Sequence, residues 1–233
     1  MSFGEAWAAV GDIDGWLTEE QGRMLYASAA ATPDSGRVVE IGSHHGRSTI
    51  ILAKGAPLAD IVSVDPYEEH EPRPQDLRVF EQNLDRAGVR DRVRHVHATS
   101  TQALQEFAGD VDLLYIDGAH DLGTALADIR GWGARVRPGG TMLIHDSFSS
   151  VGVTVAELLA LFFGGRFEYL GRSRTLAEYR RQPVRGPARI ANAARQASGL
   201  PWFARNVLVK LAVALHVLPL ARALGHRDDV FPY

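Results

Sequence analysis

Cysteine is absent from this 233-residue chain. That absence excludes disulfides, thiolate metal sites and a cysteine nucleophile together. Lysine is nearly absent, since Lys54 and Lys210 stand alone among basic residues that are otherwise arginine and histidine. No uninterrupted apolar run reaches about 18 residues, so no membrane span is expected. No basic stretch leading into an apolar run opens the sequence, which predicts no signal peptide. A cytoplasmic location follows as the expectation. A net charge of -3 leaves no general basic excess, and nothing predicts affinity for nucleic acid. Internal repeats and low-complexity tracts are missing too.

What is present suits a folded enzyme or binding domain. Hydrophobic residues make up 45% of the chain and charged residues 23%, enough to build a packed core. The length fits one α/β domain with an appendage. Thr18-Glu-Glu-Gln21 has capping-box spacing and predicts a helix from Thr18 to Ala31, before Pro33. Short apolar runs then recur at Arg37–Ile41, Ile61–Val64, Val93–Val96, Asp112–Ile116 and Thr141–Ile144. Helical stretches separate them at Arg47–Lys54, Gln75–Ala87, Thr101–Phe107 and Leu122–Val136, and Val151–Phe163 follows the last. Apolar strands alternating with helices predict a parallel sheet covered on both faces. Arg166–Leu170 and Thr175–Arg180 read as a closing hairpin turned by Gly171–Arg174.

The composition shifts again at Gln182, where Pro183, Gly186 and Pro187 mark a linker. Helices are expected at Ala188–Ala197 and Trp202–Leu218, with Pro219 ending or kinking the second. The second helix is apolar except for Arg205, Asn206, Lys210 and His216. It is expected to pack on the domain or on a second subunit, which makes a homo-oligomer such as a dimer the expectation. A lipid-facing helix would carry more basic residues on its polar face. The expected organisation is an N-terminal helical segment over residues 1–34, the α/β domain over 35–181 and a C-terminal helical extension over 182–233.

The first strand runs into Glu40-Ile-Gly-Ser-His-His-Gly46. A strand, a glycine turn and a helix start bring backbone N–H groups to a ligand. Gly42 and Gly46 permit close approach, because a Cβ there would collide. Ser43 and Ser48 belong to the same turn and helix start. The spacing is G-x-x-x-G rather than the G-x-G-x-x-G of dinucleotide enzymes. Asp65 ends the second strand, where a carboxylate accepts hydrogen bonds from ribose hydroxyls. Glu40, a charge within a strand, is expected to brace the turn or meet an amino group of the ligand. Thr99 and Ser100 follow the third strand, in position to meet a base.

Asp117 and Asp146 end the fourth and fifth strands, so adjacent strands carry both carboxylates to one edge of the sheet. Facing carboxylates repel. A divalent cation with a taste for hard oxygen, Mg²⁺ above all, resolves the conflict. His120 lies three residues past Asp117, and His145 precedes Asp146.

Val39–Thr49 and Tyr115–Phe148 resemble the class I S-adenosylmethionine (SAM)-dependent O-methyltransferases, and among them the metal-dependent branch that methylates sugar hydroxyls on antibiotics and glycans. The likeness covers about residues 35–180. Its most specific part is Ile116-Asp-Gly-Ala-His120, Asp128, Pro138-Gly-Gly140 and His145-Asp146. The implied fold is Rossmann-like, a seven-stranded, mostly parallel sheet with helices on both faces and a closing hairpin. The implied cofactor set is Glu40, Gly42, Ser43, Gly46, Ser48, Asp65, Thr99, Ser100 and Asp117. Carried over by motif position, Asp117 and Asp146 become metal ligands and His120 the base. The chain departs from the pattern at His145, where the family has an acid. That leaves three alternatives: His145 as a third ligand with more tolerance for Mn²⁺, His145 as the base itself, or a site without a metal. The implied acceptor is a saccharide or small molecule, with a phenol or catechol as the competitor. A loop of Tyr67, Glu68, Glu69 and His70, stiffened by Pro66, Pro72 and Pro74, is expected to line the acceptor site. Two readings outside this class are a nucleotide-dependent oxidoreductase, disfavoured by the missing third glycine, and a non-catalytic SAM-binding protein, which would have no need of Asp117, His120 and Asp146.

Overall fold

The computed structural model describes residues 1–67 and 74–226. Five parallel strands, β1 (Arg37–Ile41), β2 (Asp60–Val64), β3 (Val93–Val96), β4 (Val111–Ile116) and β5 (Val136–Ile144), alternate with helices. An antiparallel pair, β6 (Phe167–Ser173) and β7 (Leu176–Arg181), closes the sheet. The order is β3-β2-β1-β4-β5-β7-β6. Chain direction across the sheet reverses between β1 and β4, and ligands of open α/β sheets bind at such a point.

Strand side chains alternate between faces, and both faces are buried. Val38, Ile61, Leu113, Tyr115 and Leu143 join one core with α2 (Glu19–Ala30), α3 (Arg47–Gly55) and α4 (Pro74–Ala87). Val39, Val62, Leu114, Ile116 and Met142 join the other with α5 (Ser100–Glu106), α6 (Leu122–Arg135) and α7 (Val151–Glu157). Each fully buried aliphatic side chain of this kind contributes roughly 1.5–3 kcal/mol. The N-terminal α1 (Phe3–Ala8) and the following Val10, Ile13 and Leu17 complete the first core.

The helix starts follow local chemistry. Thr18 caps α2 and Gln21 reaches back to it, the capping box expected from the sequence. Thr99 and Gln102 form a second box at α5, which the sequence reading passed over.

Three expectations are corrected. The hairpin turns at Arg174-Thr175 rather than at Gly171–Arg174. Gly171, with φ of 146°, instead sits at a register shift inside β6. The helix expected over Val151–Phe163 widens into a π-helical turn at Leu158–Phe162. In the extension, α8 (Pro187–Ala197) appears as expected, but α9 spans Leu200–Ala214 and a separate α10 covers Leu218–Ala223. Pro219 therefore lies in the first turn of a helix, where its missing N–H costs nothing, rather than ending one. No helix among the described residues is long and apolar enough to cross a membrane.

Candidate active site

Each parallel strand extends its ladder by one residue at the C-terminal edge. Gly42 N–H donates to Val64 O (2.9 Å), Asp65 N–H to Val96 O (3.2 Å), Asp117 N–H to Ile41 O (2.8 Å) and His145 N–H to Ile116 O (2.9 Å). The sheet thus delivers four candidate residues to one edge. They open into a cavity of about 940 Å³. Ser43, Ser48, Thr99, Ser100, His120 and Asp146 line the same cavity.

Glu40 and Gly46 are not brought to it. Glu40 is fully buried and accepts hydrogen bonds from Ser48 and Thr49, tying β1 to the first turn of α3. Burial pushes its carboxyl up to about 7, against the two hydroxyl donors. Both glycines are required by close protein neighbours. A Cβ on Gly42 would lie 2.2 Å from the Asp117 carbonyl oxygen, and one on Gly46 would lie 3.0 Å from the Phe80 ring. Both residues have φ of 85°.

The half of the cavity beside the glycine turn is organised by Asp65. Its Oδ2 accepts from the Ser43 N–H (2.7 Å) and the His44 N–H (3.0 Å), and its Oδ1 from the Tyr67 N–H (3.0 Å). The carboxylate expected to meet a ribose therefore also bolts the glycine turn to the β2 loop. Oδ1 keeps acceptor capacity for one hydroxyl more. Gly46 caps α3 without a side-chain acceptor for the first N–H groups of that helix. Across the cavity, Trp132 Nε1–H donates to Ser100 O (3.1 Å) and fixes the start of α5. Tyr67 lines the cavity while its hydroxyl donates to His44 O (2.8 Å). Glu68, Glu69 and His70 lie outside the described residues.

The other half holds the titratable cluster. His120 Nε2 lies 3.0 Å from Asp146 Oδ2, and the Tyr115 hydroxyl donates to Asp117 Oδ2 (2.7 Å). His145 is 6% exposed, and its Nδ1 lies 3.2 Å from Asp117 Oδ1 and 3.3 Å from Asp146 Oδ2, close to both acids but in line for a hydrogen bond with neither. The repulsion that seemed to call for a cation is met here by an imidazole. Burial opposes charge on His145, but the two carboxylates outweigh it and push the ring up to about 10. Asp146 is buried, which would raise its carboxyl, yet His120 and His145 beside it hold it well below the carboxylate range. The bond to Asp146 raises His120, with burial opposing.

This burial leaves His145 little exposed surface from which to act as an open ligand. Its Nε2 accepts from the Gln21 amide NH₂ (3.3 Å), whose orientation is fixed because Gln21 Oε1 accepts from the Thr18 N–H, so that ring nitrogen is spent on the protein. Both His145 and Asp146 reach the cluster because Asp146 has left strand geometry, with φ of 57°. Metal-donor atoms of Asp117, His120 and Asp146 all lie within 4.8 Å of one another, a spacing and a set of hard oxygens plus imidazole that suit a divalent cation.

Sequence reasoning gave no site role to four residues here. Gln21 was read as a cap alone, yet it is 1% exposed and also donates to Thr175 Oγ1 (2.7 Å) behind His145. Asp128 lines the cavity at 2% exposure, its carboxyl pushed up to about 6 by burial. Arg47 lines the cavity from α3. Lys210 reaches the cavity from α9, and its rarity in an arginine-rich chain was the signal available.

Residues 39–147 match the family model of a methyltransferase domain. A catechol O-methyltransferase of Mycobacterium tuberculosis is 34% identical over 143 residues, covering 60% of this chain. The chain spans 60% of that relative's length. Among solved structures, cofactor-bound Rv0187 from MTB is 26% identical with a TM-score of 0.56, over 76% of this chain and 86% of that one. The O-methyltransferase TomG from Streptomyces achromogenes, involved in tomaymycin synthesis and solved with SAM, is 18% identical with a TM-score of 0.53, over 79% and 89%. The last likeness concerns the fold alone. The fold is that of the Rossmann-like methyltransferases.

Proposed function

We propose that the chain is a SAM-dependent O-methyltransferase acting on a hydroxyl of a small molecule, with a saccharide as the acceptor class. One observation carries the reading. A single cavity joins a nucleoside-sized half, built on the glycine turn, Asp65, Thr99 and Ser100, to a half built on Asp117, His120 and Asp146. A domain that only bound the cofactor would have no use for the second half. The methyltransferase-domain match over 39–147 supports the same class.

Bound SAM supplies a methyl group on a sulfonium, a carbon already activated for displacement. Asp65 would hold the ribose end of SAM, Ser43 and Ser48 the amino-acid end, and Thr99 and Ser100 the base, and transfer of the methyl to the acceptor oxygen would release S-adenosylhomocysteine. His120 accepts the proton of the acceptor hydroxyl as that oxygen attacks, and Asp146 orients the ring and stabilises the imidazolium that forms. Asp117 and Asp146 are the residues that would hold a divalent cation, magnesium by preference. A cation bound there would lower the hydroxyl's pKa. His145 stays behind them as a buried imidazole.

A catechol is the second reading, favoured by the 34% identity to the mycobacterial catechol O-methyltransferase. Homo-oligomer formation belongs to the proposal as well. Leu208, Leu211, Leu215 and Leu220 in and around α9 and α10 are at least half exposed, more apolar surface than a monomer usually leaves bare.

The deciding experiment is transfer of a labelled methyl from SAM to a panel of sugars, glycosides and catechols, with and without chelator. Label in a sugar ether supports the leading reading, and label in catechols alone supports the second. A folded protein that binds SAM and labels nothing would refute both.

A further inference from the structure

We propose that the C-terminal extension holds Asp146 in its working position, with Asn206 and Lys210 of α9 as positioning residues. The proposal rests on reading Asp146 as part of the reaction centre. Its physical basis is the loop 145–150 that follows β5. Asp146 and Phe148, neither a glycine, both adopt φ of 57°. Left-handed residues with side chains persist only where surrounding contacts over-determine them.

Part of that determination is local. Ser149 and Ser150 N–H groups donate back to Asp146 O (3.1 and 2.9 Å), and Ser147 N–H donates to Thr175 O (2.9 Å). These bonds fold the loop but leave the carbonyls of Phe148 and Ser149 needing donors. Both donors come from α9. Asn206 Nδ2–H donates to Phe148 O (3.0 Å), and Lys210 Nζ–H donates to Ser149 O (3.0 Å) and reaches Ser149 Oγ (3.4 Å). Positions 206 and 210 are one helical turn apart, so one face of α9 meets two consecutive carbonyls.

The same face continues toward its N-terminus. Trp202 stacks on the Arg172 guanidinium (4.3 Å), which also lies over the Phe148 ring (5.9 Å). Gly199 leaves room for that ring, since a Cβ there would come within 2.8 Å of it. Asn206 is fully buried, an expensive place for an amide unless its bonds matter. Phe148 is therefore gripped through its ring and its carbonyl, two residues from Asp146.

A purely architectural helix would share these contacts, so the test must read the loop and the chemistry separately from the fold. In the full-length protein, Asn206→Leu keeps the bulk and removes the donor. Lys210→Met does the same at the second carbonyl, while Lys210→Arg keeps a donor. Hydrogen–deuterium exchange should quicken in the 146–150 segment of Asn206→Leu and Lys210→Met, and stay near wild type in Lys210→Arg. The kcat should fall about tenfold to hundredfold in Asn206→Leu, the scale of a small misplacement of a reacting group. The KM for SAM and the calorimetric affinity for S-adenosylhomocysteine should stay close to wild type. Should Asn206→Leu fail to fold, Lys210→Met against Lys210→Arg carries the same comparison. Unchanged exchange at 146–150, or unchanged kcat, in folded donor-less variants overturns the proposal. If the wild type transfers no methyl group to any acceptor, the functional reading fails, while the exchange result still judges the loop.

Discussion

Replacing Glu157 by glutamine should stabilise the protein at neutral pH and not in mild acid. Glu157 is 2% exposed in α7. Its Oε1 accepts from the Ser147 hydroxyl (2.6 Å) and the Tyr179 hydroxyl (3.2 Å), while Oε2 is buried without a partner. Burial pushes the carboxyl from 4.5 up to about 8, against both hydroxyl donors. The sign follows from proton counts. Between those values the folded protein keeps a proton that the unfolded chain has released, so stability falls as pH rises. The contribution is fully present below pH 4.5 and lost as pH passes 8. Each pH step of one between the two values is worth about 1.36 kcal/mol, so the loss is roughly 3 kcal/mol at pH 7 and approaches about 5 above pH 8. Glutamine keeps the shape and the Oε1 acceptor and never ionises. Its NH₂ replaces an oxygen that has no partner, which takes back about 1–3 kcal/mol. The expected net gain is about 1–3 kcal/mol near pH 8, or several degrees in Tm. Urea unfolding of both proteins at pH 5 and pH 8 measures it. Glu40, Asp128 and His145 titrate alike in both proteins and cancel from the difference. An identical stability difference at the two pH values would refute the reasoning.

Three further outcomes test the site. Asp65→Ala should lower S-adenosylhomocysteine affinity about tenfold to hundredfold, the worth of charge-assisted hydrogen bonds to a ribose. Unchanged affinity by calorimetry in a folded variant would remove Asp65 from the cofactor set. His120→Ala should cost about 10²–10⁴ in rate. It should also abolish the rise of rate with pH above 6.5 that a base raised by Asp146 produces in the wild type, and a profile of unchanged shape would exclude His120 as the base. Asp117→Asn and Asp146→Asn should each abolish turnover and any response to Mg²⁺ while sparing cofactor affinity. Full activity of the wild type after exhaustive chelation would end the metal claim.

The sheet was legible because a buried parallel strand has no polar face to hide, so Val39, Leu114 and Ile144 announce themselves as continuous apolar runs. Its edge was legible too: Gly42, Asp65, Asp117 and Asp146 each follow such a run. The sequence could not show what those residues spend their bonding capacity on. Glu40 reads as a brace for the turn or a ligand contact, and it binds Ser48 and Thr49; Asp65 reads as a ligand contact, and it also binds the Ser43 and His44 amides. Their partners lie 8 to 22 residues away, and local patterns carry no record of such pairs. Helix ends in the extension were misplaced because its apolar run continues through a break at residues 215–217, where only backbone geometry marks the stop. Asn206 looked like an interruption of an apolar helix, and its use became visible only with the carbonyl it serves.

His145 carries the most consequential of these hidden pairings, and its replacement separates two accounts of the metal. As a ligand, its loss would weaken the site and raise the cation concentration needed for half-maximal rate. The geometry argues the reverse. His145 is a buried imidazole beside Asp117 and Asp146, which together raise its affinity for a proton, and Gln21 and Thr175 pack behind it. In His145→Asn the two carboxylates lose that compensation, and two like charges so close destabilise the edge of the sheet. The variant should melt lower than the wild type without metal and recover with added Mg²⁺, because a cation then supplies the missing charge. Its half-saturating metal concentration should fall below that of the wild type, since the site has become more negative. A rise in that concentration would restore His145 to the ligand set. A melting temperature indifferent to Mg²⁺ would show that no cation sits between these carboxylates at all.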